Sequence, residues 1–152
     1  MTDLSLRHNV TRDLAPLRTL LTDEGDLALV NPSAKHPFDP LEWQEKWLAD
    51  LDDESFYILD ATGAEVGFFA LRPGVGPEMR HLAYVYLSPE QRGGSGARVA
   101  ELAEEAAKSL GAALVTLKVE VENEPAVNTY KAAGYEEVAR NDNMATMMRE
   151  VD

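Results

Sequence analysis

Three of the ten glycines lie in one short segment of the chain, residues 88–97, which reads Ser-Pro-Glu-Gln-Arg-Gly-Gly-Ser-Gly-Ala. The pattern that follows predicts a helix, and a helix start has about four unpaired main-chain N–H groups and about half a positive charge. Glycines let anionic oxygens approach those N–H groups closely. Arg92 and Arg98 add positive charge. Residues 71–98 as a whole hold four arginines and two glutamates, so this part of the chain is basic although the net charge of the chain is −13. The segment therefore predicts a site for a phosphate-bearing ligand.

Other phosphate-binding loops, and no binding at all, are the alternatives for this segment. A P-loop needs the pattern G-x-x-x-x-G-K-[ST], and no glycine here is directly followed by a Lys-Ser or Lys-Thr pair. The dinucleotide pattern G-x-G-x-x-G is half present in Gly94-Ser95-Gly96, and Glu120 stands where a ribose-binding acid is expected. However, Val99 replaces its third glycine, and the 32 residues after Glu120 are too few for the rest of such a fold. A flexible connector between a strand and a helix is the simplest remaining alternative.

Two spaced motifs give the chain a specific resemblance. The segment Gln91-Arg92-Gly93-Gly94-Ser95-Gly96 fits the pattern Q/R-x-x-G-x-G/A. A second pattern, N-x-x-A-x-x-x-Y-x-x-x-G-F/Y, is matched by Asn123, Ala126, Tyr130, Gly134 and Tyr135. With both motifs, and with the order of its predicted elements, the chain resembles the GNAT superfamily of acyl-CoA-dependent N-acyltransferases over nearly its whole length.

A second register also fits the first motif. It starts at Arg92, ends at Ala97 and turns the charged Glu101 towards the core of the following helix. We prefer the Gln91 register, because it buries an apolar stripe instead. That stripe contains Val99, Ala100, Ala103 and Ala107.

The resemblance implies a fold and a co-substrate. The expected fold is a single α/β (α+β) domain over residues 1–152, with a mixed, mostly antiparallel sheet of six or seven strands flanked by about four helices. The expected co-substrate is acetyl-CoA, whose pyrophosphate the loop amides would hold and whose pantetheine arm would lie along the central strand. The residues implied to bind it are Val85, Tyr86, Leu87, Gln91, Arg92, Gly93, Gly94, Ser95, Gly96, Ala97, Asn123 and Tyr130.

The reaction implied by the resemblance is acetyl transfer to a primary amine of a small molecule or peptide, by direct attack in a ternary complex. Main-chain N–H groups at residues 85–87 would polarise the acyl oxygen, and no metal is needed. Tyr130 would be the catalytic residue that protonates the departing thiolate, since a phenol of pKa about 10 is protonated at neutral pH. Its alternative role is packing between Ala126 and Ala133. Asn123 has a compatible second role as a helix cap.

Other residues fit the acceptor side less specifically. Glu78 and His81 could each act as the general base, directly or through water, although a solvated Glu and a surface His are commoner. Trp43 and Trp47 could line an acceptor pocket, or anchor their helix to the sheet. The acidic residues 50–54 are most simply a solvated face. Two other classes of function stay open: a non-catalytic acyl-CoA sensor, and a nucleotide-binding module that uses the same loop.

The first half of the chain contains the elements that precede the site. A strand at residues 4–7 leads into a helix from about Thr11, its cap, to Leu21. After a loop at 31–37, Asp39, Pro40 and Glu42 predict the capped start of a helix that ends near Asp50. Alternating residues then predict a hairpin of strands 55–60 and 65–71.

The second half contains the elements that would hold the coenzyme. A central strand at 80–87, a helix from about 95 to 110 and a strand at 113–119 predict a β-α-β crossover with parallel strands. Gly111 ends the helix in the expected place. A short helix at 125–133, stopped by Gly134, precedes two strands at 135–139 and 144–148.

Composition bounds the remaining possibilities. The 152 residues include no Cys, which removes disulfides and a cysteine nucleophile, and the three His have no metal-ligand spacing. The net charge of −13 disfavours nucleic acids and anionic membranes as partners. No apolar run reaches the length of about 18 residues that spans a membrane, and the first residues lack a signal-peptide pattern, so we expect a cytoplasmic protein. The expected partners are the amine acceptor and a second copy of the chain, because the C-terminal hairpin of such folds often pairs across a homodimer.

Overall fold

The computed structural model describes residues 3–76, 78–91 and 96–151, which form seven strands and five helices. The strands are β1 Ser5–His8, β2 Glu54–Leu59, β3 Glu65–Pro73, β4 Met79–Leu87, β5 Leu114–Glu120, β6 Glu136–Asn141 and β7 Met144–Glu150. The helices are α1 Ala15–Leu20, α2 Glu24–Val30, α3 Pro40–Glu42, α4 Gly96–Ser109 and α5 Glu124–Ala132. A π-helical turn, Trp43–Trp47, continues α3, and a 3-10 turn, Pro89–Gln91, follows β4.

The strands form one mixed sheet with β4 in its centre. The strand order is β1-β2-β3-β4-β5-β7-β6. β4 and β5 are parallel, with Met79 opposite Leu114 and His81 opposite Thr116, whereas β2 pairs antiparallel with β1 and β3, and β7 with β5 and β6. The parallel pair follows from the helix between its strands, because a crossover must return the chain to the same end of the sheet. The predicted fold class is therefore confirmed.

The internal contacts divide the chain into two units. The first unit comprises residues 1–72 and 84–91, and the second comprises residues 73–83 and 92–152. The two ends of β4 thus belong to different units. The assignment of residues 1–152 to one domain stays a prediction.

In the first unit, the helices and the β2–β3 hairpin share an apolar core. Trp43 of the π-helical turn is completely buried, and so are Tyr57 of β2 and Phe68 of β3. Leu17 and Leu27 bring α1 and α2 to the same cluster. Burial of such large side chains is the main force that holds short helices of this kind, which would be unstable alone.

In the second unit, α4 buries the face that its sequence predicted. The buried residues are Val99, Ala100, Leu102, Ala103, Ala106 and Ala107. Glu101 and Glu105 are exposed, but Glu104 is half-buried and forms an ion pair with Arg149 of β7 at 2.6 Å. Gly111 and Gly134 end α4 and α5 with positive φ angles of 80° and 99°, which glycine adopts without strain.

The first half of the chain differs most from the sequence prediction. The helix predicted from Thr11 starts only at Ala15, because Arg12 has a left-handed φ of 61° that no α-helix accommodates. A separate helix, α2, begins after Asp23, whose side chain accepts a hydrogen bond from the N–H of Asp26, and was not predicted. Five helices therefore replace the expected four.

The helix predicted from residue 39 to about 50 is shorter and irregular. Asp39 caps it as expected, with its side chain accepting from the N–H of Leu41, but α3 changes to the π-helical turn at Trp43 and ends at Trp47. The predicted capping role of Glu42 is wrong, because its buried carboxylate instead accepts from the N–H of Lys35 at 3.1 Å.

Candidate active site

The glycine-rich loop lies between a strand and a helix, as predicted. Four of its predicted contacts, Arg92, Gly93, Gly94 and Ser95, lie outside the described residues. On one side of them, Gln91 ends the 3-10 turn, and its N–H donates to the carbonyl of Ser88 at 2.9 Å. On the other side, the exposed residues Gly96 and Ala97 form the start of α4. A 14-residue helix whose first two residues are exposed can receive an anion there.

Gly96 also has a packing role inside the second unit. A Cβ atom at this position would lie 2.9 Å from Cγ2 and 3.3 Å from Oγ1 of Thr129. The Thr129 hydroxyl donates to the carbonyl of Pro125 at 2.8 Å, so the side chain cannot turn away without losing that bond. Glycine at this position lets the first turn of α4 pack directly on α5.

Arg98 supplies less free charge than the sequence suggested. Its guanidinium lies 3.1 Å from the carboxylate of Glu105 and 3.7 Å from that of Glu101, both on α4. The positive charge of Arg98 is therefore shared with two exposed acids of its own helix. The i, i+3 and i, i+7 spacings of these acids along the helix explain the pairing, because both lie on the same exposed face.

Tyr130 lies on α5 in a mostly apolar setting. Its ring is half-buried and meets the ring of Tyr135 edge to face, with centroids 5.6 Å apart. Burial raises the pKa of its phenol above the usual value, so the hydroxyl is protonated at neutral pH. Within the part of the chain that the structure describes, this hydroxyl has no hydrogen-bond partner. A protonated phenol without a partner can donate to a ligand atom.

Asn123 precedes Tyr130 by two helical turns and caps the same helix. Its side-chain oxygen accepts from the N–H of Ala126 at 3.4 Å, and its carbonyl accepts from the N–H of Val127 at 3.0 Å. The capping role expected from the sequence is confirmed. The side chain remains exposed, so its amide N–H groups also face solvent.

The end of β4 lies in the first unit. Val85 and Leu87 are half-buried, while Tyr86 is buried and its hydroxyl donates to the Asp26 carboxylate at 3.3 Å. Directly before them, Tyr84 has a φ of 56°, a left-handed conformation inside a strand. The sequence did not indicate this, because tyrosine carries no preference for that region.

The two candidates for the general base occupy the start of β4, in the second unit. Glu78 is exposed and its carbonyl accepts from the N–H of Ala113 at 2.7 Å. His81 is half-buried, and its Nδ1 lies 2.9 Å from the hydroxyl of Thr116 on β5. Either nitrogen of the ring can hold the proton in the neutral form, so the hydroxyl can be the donor or the acceptor.

Trp43, Trp47 and Asp53 have structural roles. Trp43 is a core residue and Trp47 packs against the same cluster, which confirms the anchoring role. Asp53 is only 4% exposed and forms an ion pair with Arg72 at 3.0 Å, so the interpretation of residues 50–54 as a solvated face is wrong for this residue. Sequence reasoning missed the pair, because a distant strand provides the partner.

Neither a metal cluster nor a membrane-spanning helix occurs in the part of the chain that the structure describes. In residues 3–76, 78–91 and 96–151, no group of three or more His, Asp or Glu side chains is placed to hold a metal ion. None of the helices in those ranges is long and apolar enough to span a bilayer.

Comparison with known proteins agrees with the fold and the motifs. The model of the Acetyltransferase (GNAT) family matches residues 18–135. An uncharacterised N-acetyltransferase of Methanocaldococcus jannaschii is 34% identical over 101 residues, which are 62% of this chain and 45% of that protein. The match therefore spans less than half of that relative's length.

Solved structures extend the similarity to nearly the whole chain. A spermidine N-acetyltransferase from Vibrio cholerae, in complex with CoA and spermine, superposes with a TM-score of 0.76 at 20% identity, covering 97% of this chain and 95% of that one. A domain from Methanocaldococcus jannaschii superposes with a TM-score of 0.74 at 13% identity, covering 99% of both chains. At such identities the similarity concerns the fold.

Proposed function

Because the chain belongs to the GNAT family of acetyltransferases, we propose that it transfers the acetyl group of acetyl-CoA to a primary amine of a small molecule or peptide. In this proposal the amine attacks the thioester directly while both substrates are bound. The reaction needs an aligned neutral amine, a polarised carbonyl and a stabilised leaving thiolate, and protein groups alone supply these.

The observation that carries the proposal is the meeting of the two motifs in the second unit. Gly96, the last residue of the first motif, packs on Thr129, which is the neighbour of Tyr130 in the second motif. Asn123 caps the helix that carries Tyr130. A helix start suited to a pyrophosphate thus lies against the helix that carries a protonated phenol.

The proposal gives each group a separate role. The N–H groups of the loop and of the first turn of α4, residues 91–97, hold the coenzyme pyrophosphate. The main chain at Val85, Tyr86 and Leu87 binds the pantetheine and polarises the acyl oxygen. Asn123 contacts the carrier, and Tyr130 gives its proton to the leaving sulfur. The amine loses its proton to Glu78, to His81 or to water. A homodimer and a cytoplasmic location stay predictions.

The test is an acceptor screen with acetyl-CoA that follows the release of free thiol. Since the chain has no Cys, a thiol reagent reports only released coenzyme A. We expect at least one of the tested amines, polyamines, amino acids or aminoglycosides to accelerate thiol release in proportion to enzyme concentration, with an acetylated amine as product.

Calorimetry with coenzyme A, NAD and ATP separates the other classes of function. Binding of coenzyme A without turnover of any acceptor would favour the sensor. Binding of NAD or ATP in preference to coenzyme A would contradict the proposal.

A further inference from the structure

Tyr84 has an unfavourable backbone conformation at a functionally sensitive position. Its φ of 56° lies in the left-handed region, which is costly for residues that carry a Cβ atom. The other described non-glycine residues with positive φ, Arg12 and Asp142, lie in a loop and in a hairpin turn, whereas Tyr84 lies within β4. Such a conformation persists only where the surrounding contacts enforce it.

Two contacts hold the Tyr84 side chain in the first unit. Its ring meets the ring of the buried Trp43 at 4.9 Å between centroids, edge to face. Its hydroxyl donates to the carbonyl of Trp47 over a long 3.4 Å. The positive charge of Arg72 also acts on this phenol. Burial raises the pKa of this phenol, although Arg72 acts in the opposite direction, and it is protonated at neutral pH.

Arg72 is itself fixed by a buried acid. Its Nε lies 3.0 Å from Oδ1 of Asp53, and its second nitrogen lies 3.4 Å from Oδ2. Oδ2 also accepts from the N–H of Asp50 at 3.1 Å. Arg12 ties down the same loop, because its guanidinium donates to the carbonyls of Asp50 at 2.9 Å and of Leu51 at 3.2 Å. The orientation of Arg72 is therefore set by the folded loop.

A left-handed residue changes the direction of the peptide groups that follow it. In a regular strand the N–H groups alternate between the two neighbouring strands, and one such residue interrupts this alternation. The peptides after Tyr84 are those of residues 85–87, to which the proposed function assigns the acyl oxygen and the pantetheine. Their direction thus depends on the conformation of Tyr84.

We propose that Tyr84 is a positioning residue for acetyl transfer, and that its side chain, held by Trp43 and Trp47 and acted on by the charge of Arg72, maintains the turn in β4 that aims the main chain of residues 85–87 at the thioester. This inference rests on the proposed function. Tyr84 does not touch the reacting atoms; it acts through the backbone that follows it.

Comparison of Tyr84→Ala with Tyr84→Gly separates backbone positioning from packing. Both variants lose the ring and hydroxyl contacts, but only alanine keeps the Cβ that opposes a positive φ. We expect Tyr84→Ala to lower kcat about tenfold, because that factor corresponds to the free-energy cost of holding one non-glycine residue in the left-handed conformation. Tyr84→Gly should recover most of that loss, because glycine adopts the conformation without this cost. We also expect binding of acetyl-CoA, measured by calorimetry, to weaken in the alanine variant and to recover in the glycine variant.

A double-mutant cycle tests the role of Arg72. Arg72→Lys keeps the charge next to Asp53 but not the planar fork that reaches both oxygens of its carboxylate and fixes where the charge lies relative to Tyr84. We expect it to lower kcat in the wild-type background and to have no effect in the Tyr84→Gly background. The matched control is Arg7→Lys, at a surface ion pair with Glu65, which should leave kcat unchanged in both backgrounds.

The outcomes separate this inference from the proposed function. Equal kcat values and equal acetyl-CoA affinities for the alanine and glycine variants would overturn the positioning role, as would an Arg72→Lys effect of the same size in both backgrounds. Should Tyr84→Ala fail to fold, the Arg72→Lys cycle alone decides between positioning and packing. A wild-type chain that neither binds acetyl-CoA nor releases thiol with any acceptor would overturn the proposed function, and this inference with it.

Discussion

The hydroxyl of Tyr130 forms no hydrogen bond with the protein atoms that the structure describes. Its ring packs on Tyr135 and its pKa is raised by burial, but its hydroxyl has no partner in residues 3–76, 78–91 and 96–151. Phenylalanine would keep the same ring contact, so a purely structural role would be served about as well without the hydroxyl. This makes Tyr130→Phe an informative substitution.

We expect Tyr130→Phe to lower kcat for acetyl transfer about 100-fold, the lower end of the range for general-acid catalysis. Its KM for acetyl-CoA and its melting temperature should change little, because the ring and its contact with Tyr135 remain. Steady-state kinetics and thermal unfolding check both expectations. An unchanged kcat would leave Tyr130 with the packing role alone.

The raised pKa of Tyr135 predicts how the stability of the folded protein changes at alkaline pH. Burial raises its pKa to about 12, and the neighbouring Tyr130 adds to this shift. A group with a raised pKa in the folded state contributes stability that is fully present below its unfolded pKa of about 10 and is lost as the pH rises towards 12. We expect the free energy of unfolding to fall by about 1.4 kcal/mol per pH unit from this one group.

The comparison variant is Tyr135→Phe, studied by urea unfolding at pH 7, 10 and 11. Wild type and variant should have similar stability at pH 7, and the variant should lose less between pH 10 and 11. Parallel curves for the two proteins would contradict the raised pKa.

The candidate site illustrates what a sequence reveals about single residues. Asn123, Tyr130 and Gly96 were identified because their spacing along the chain repeats a motif. The Asp53–Arg72 pair and the left-handed Tyr84 were not, because both depend on contacts between segments distant in the chain. A charge in an acidic run reads as solvated until its partner is known.

At the scale of the elements, β3 lies in close contact with β4 at a glycine. A Cβ on Gly67 would lie 2.6 Å from the carbonyl oxygen of Tyr86 and 3.0 Å from Cδ1 of Ile58. The first of these is a backbone atom and cannot rotate away. Nearby, the N–H of Ser88 donates to the carbonyl of Val66 at 2.8 Å, which ties the end of β4 to β3.

Gly67→Ala should therefore destabilise the protein by about 1–3 kcal/mol, the usual cost of overpacking. Gly76→Ala is the matched control, because no described atom lies within 4 Å of the added methyl group, and its effect should stay within about 0.5 kcal/mol. Urea unfolding of both variants measures the difference. Equal stabilities would show that β4 moves freely away from β3.

The cap of α5 allows structure and binding to be separated. Asparagine and aspartate are equally good helix caps, whereas alanine costs about 1 kcal/mol. We expect Asn123→Asp to keep the wild-type stability but to raise the KM for the anionic acetyl-CoA about tenfold by charge repulsion. Asn123→Ala should lower stability as well. If Asn123→Asp leaves KM unchanged, Asn123 has the capping role only.

Elements with strong local signals were predicted well, and short ones were not. The β2–β3 hairpin and α4 were predicted to within a residue or two, because alternation and an apolar stripe mark them along their whole length. In contrast, the seven-residue α2 buries only Leu27 and shows no detectable period. α1 starts late because the backbone of Arg12 is left-handed, a conformation that an arginine side chain does not predict.

At the scale of the whole molecule, the excess of acidic residues dominates the electrostatics. With a net charge of −13, the acidic side chains repel one another in the folded state. Most of the described ion pairs lie at the surface, where each contributes little to stability. Added salt screens both effects, but the repulsion involves more charges. The sign of the salt dependence is therefore predictable.

We expect the melting temperature to rise by several degrees between about 0.01 and 0.5 M sodium chloride, since the Debye length falls from about 30 Å to a few ångströms. Sucrose at equal osmolality is the control for non-electrostatic effects. The same salt increase should speed association of the anionic acetyl-CoA, as measured by stopped flow. A melting temperature that falls with salt would mean that the ion pairs outweigh the repulsion.

β6 forms one edge of the sheet, and all six of its residues are exposed. It carries Glu136 and Glu137, with Glu137 bound to Arg140 at 2.7 Å, and its pairing with β7 is irregular between residues 137 and 139. Charges and irregular pairing hinder a foreign strand from adding to an open edge. Concentrated solutions of the protein should therefore resist fibril formation. Replacement of Glu136, Glu137 and Arg140 by neutral β-branched residues should remove this protection and promote amyloid most strongly.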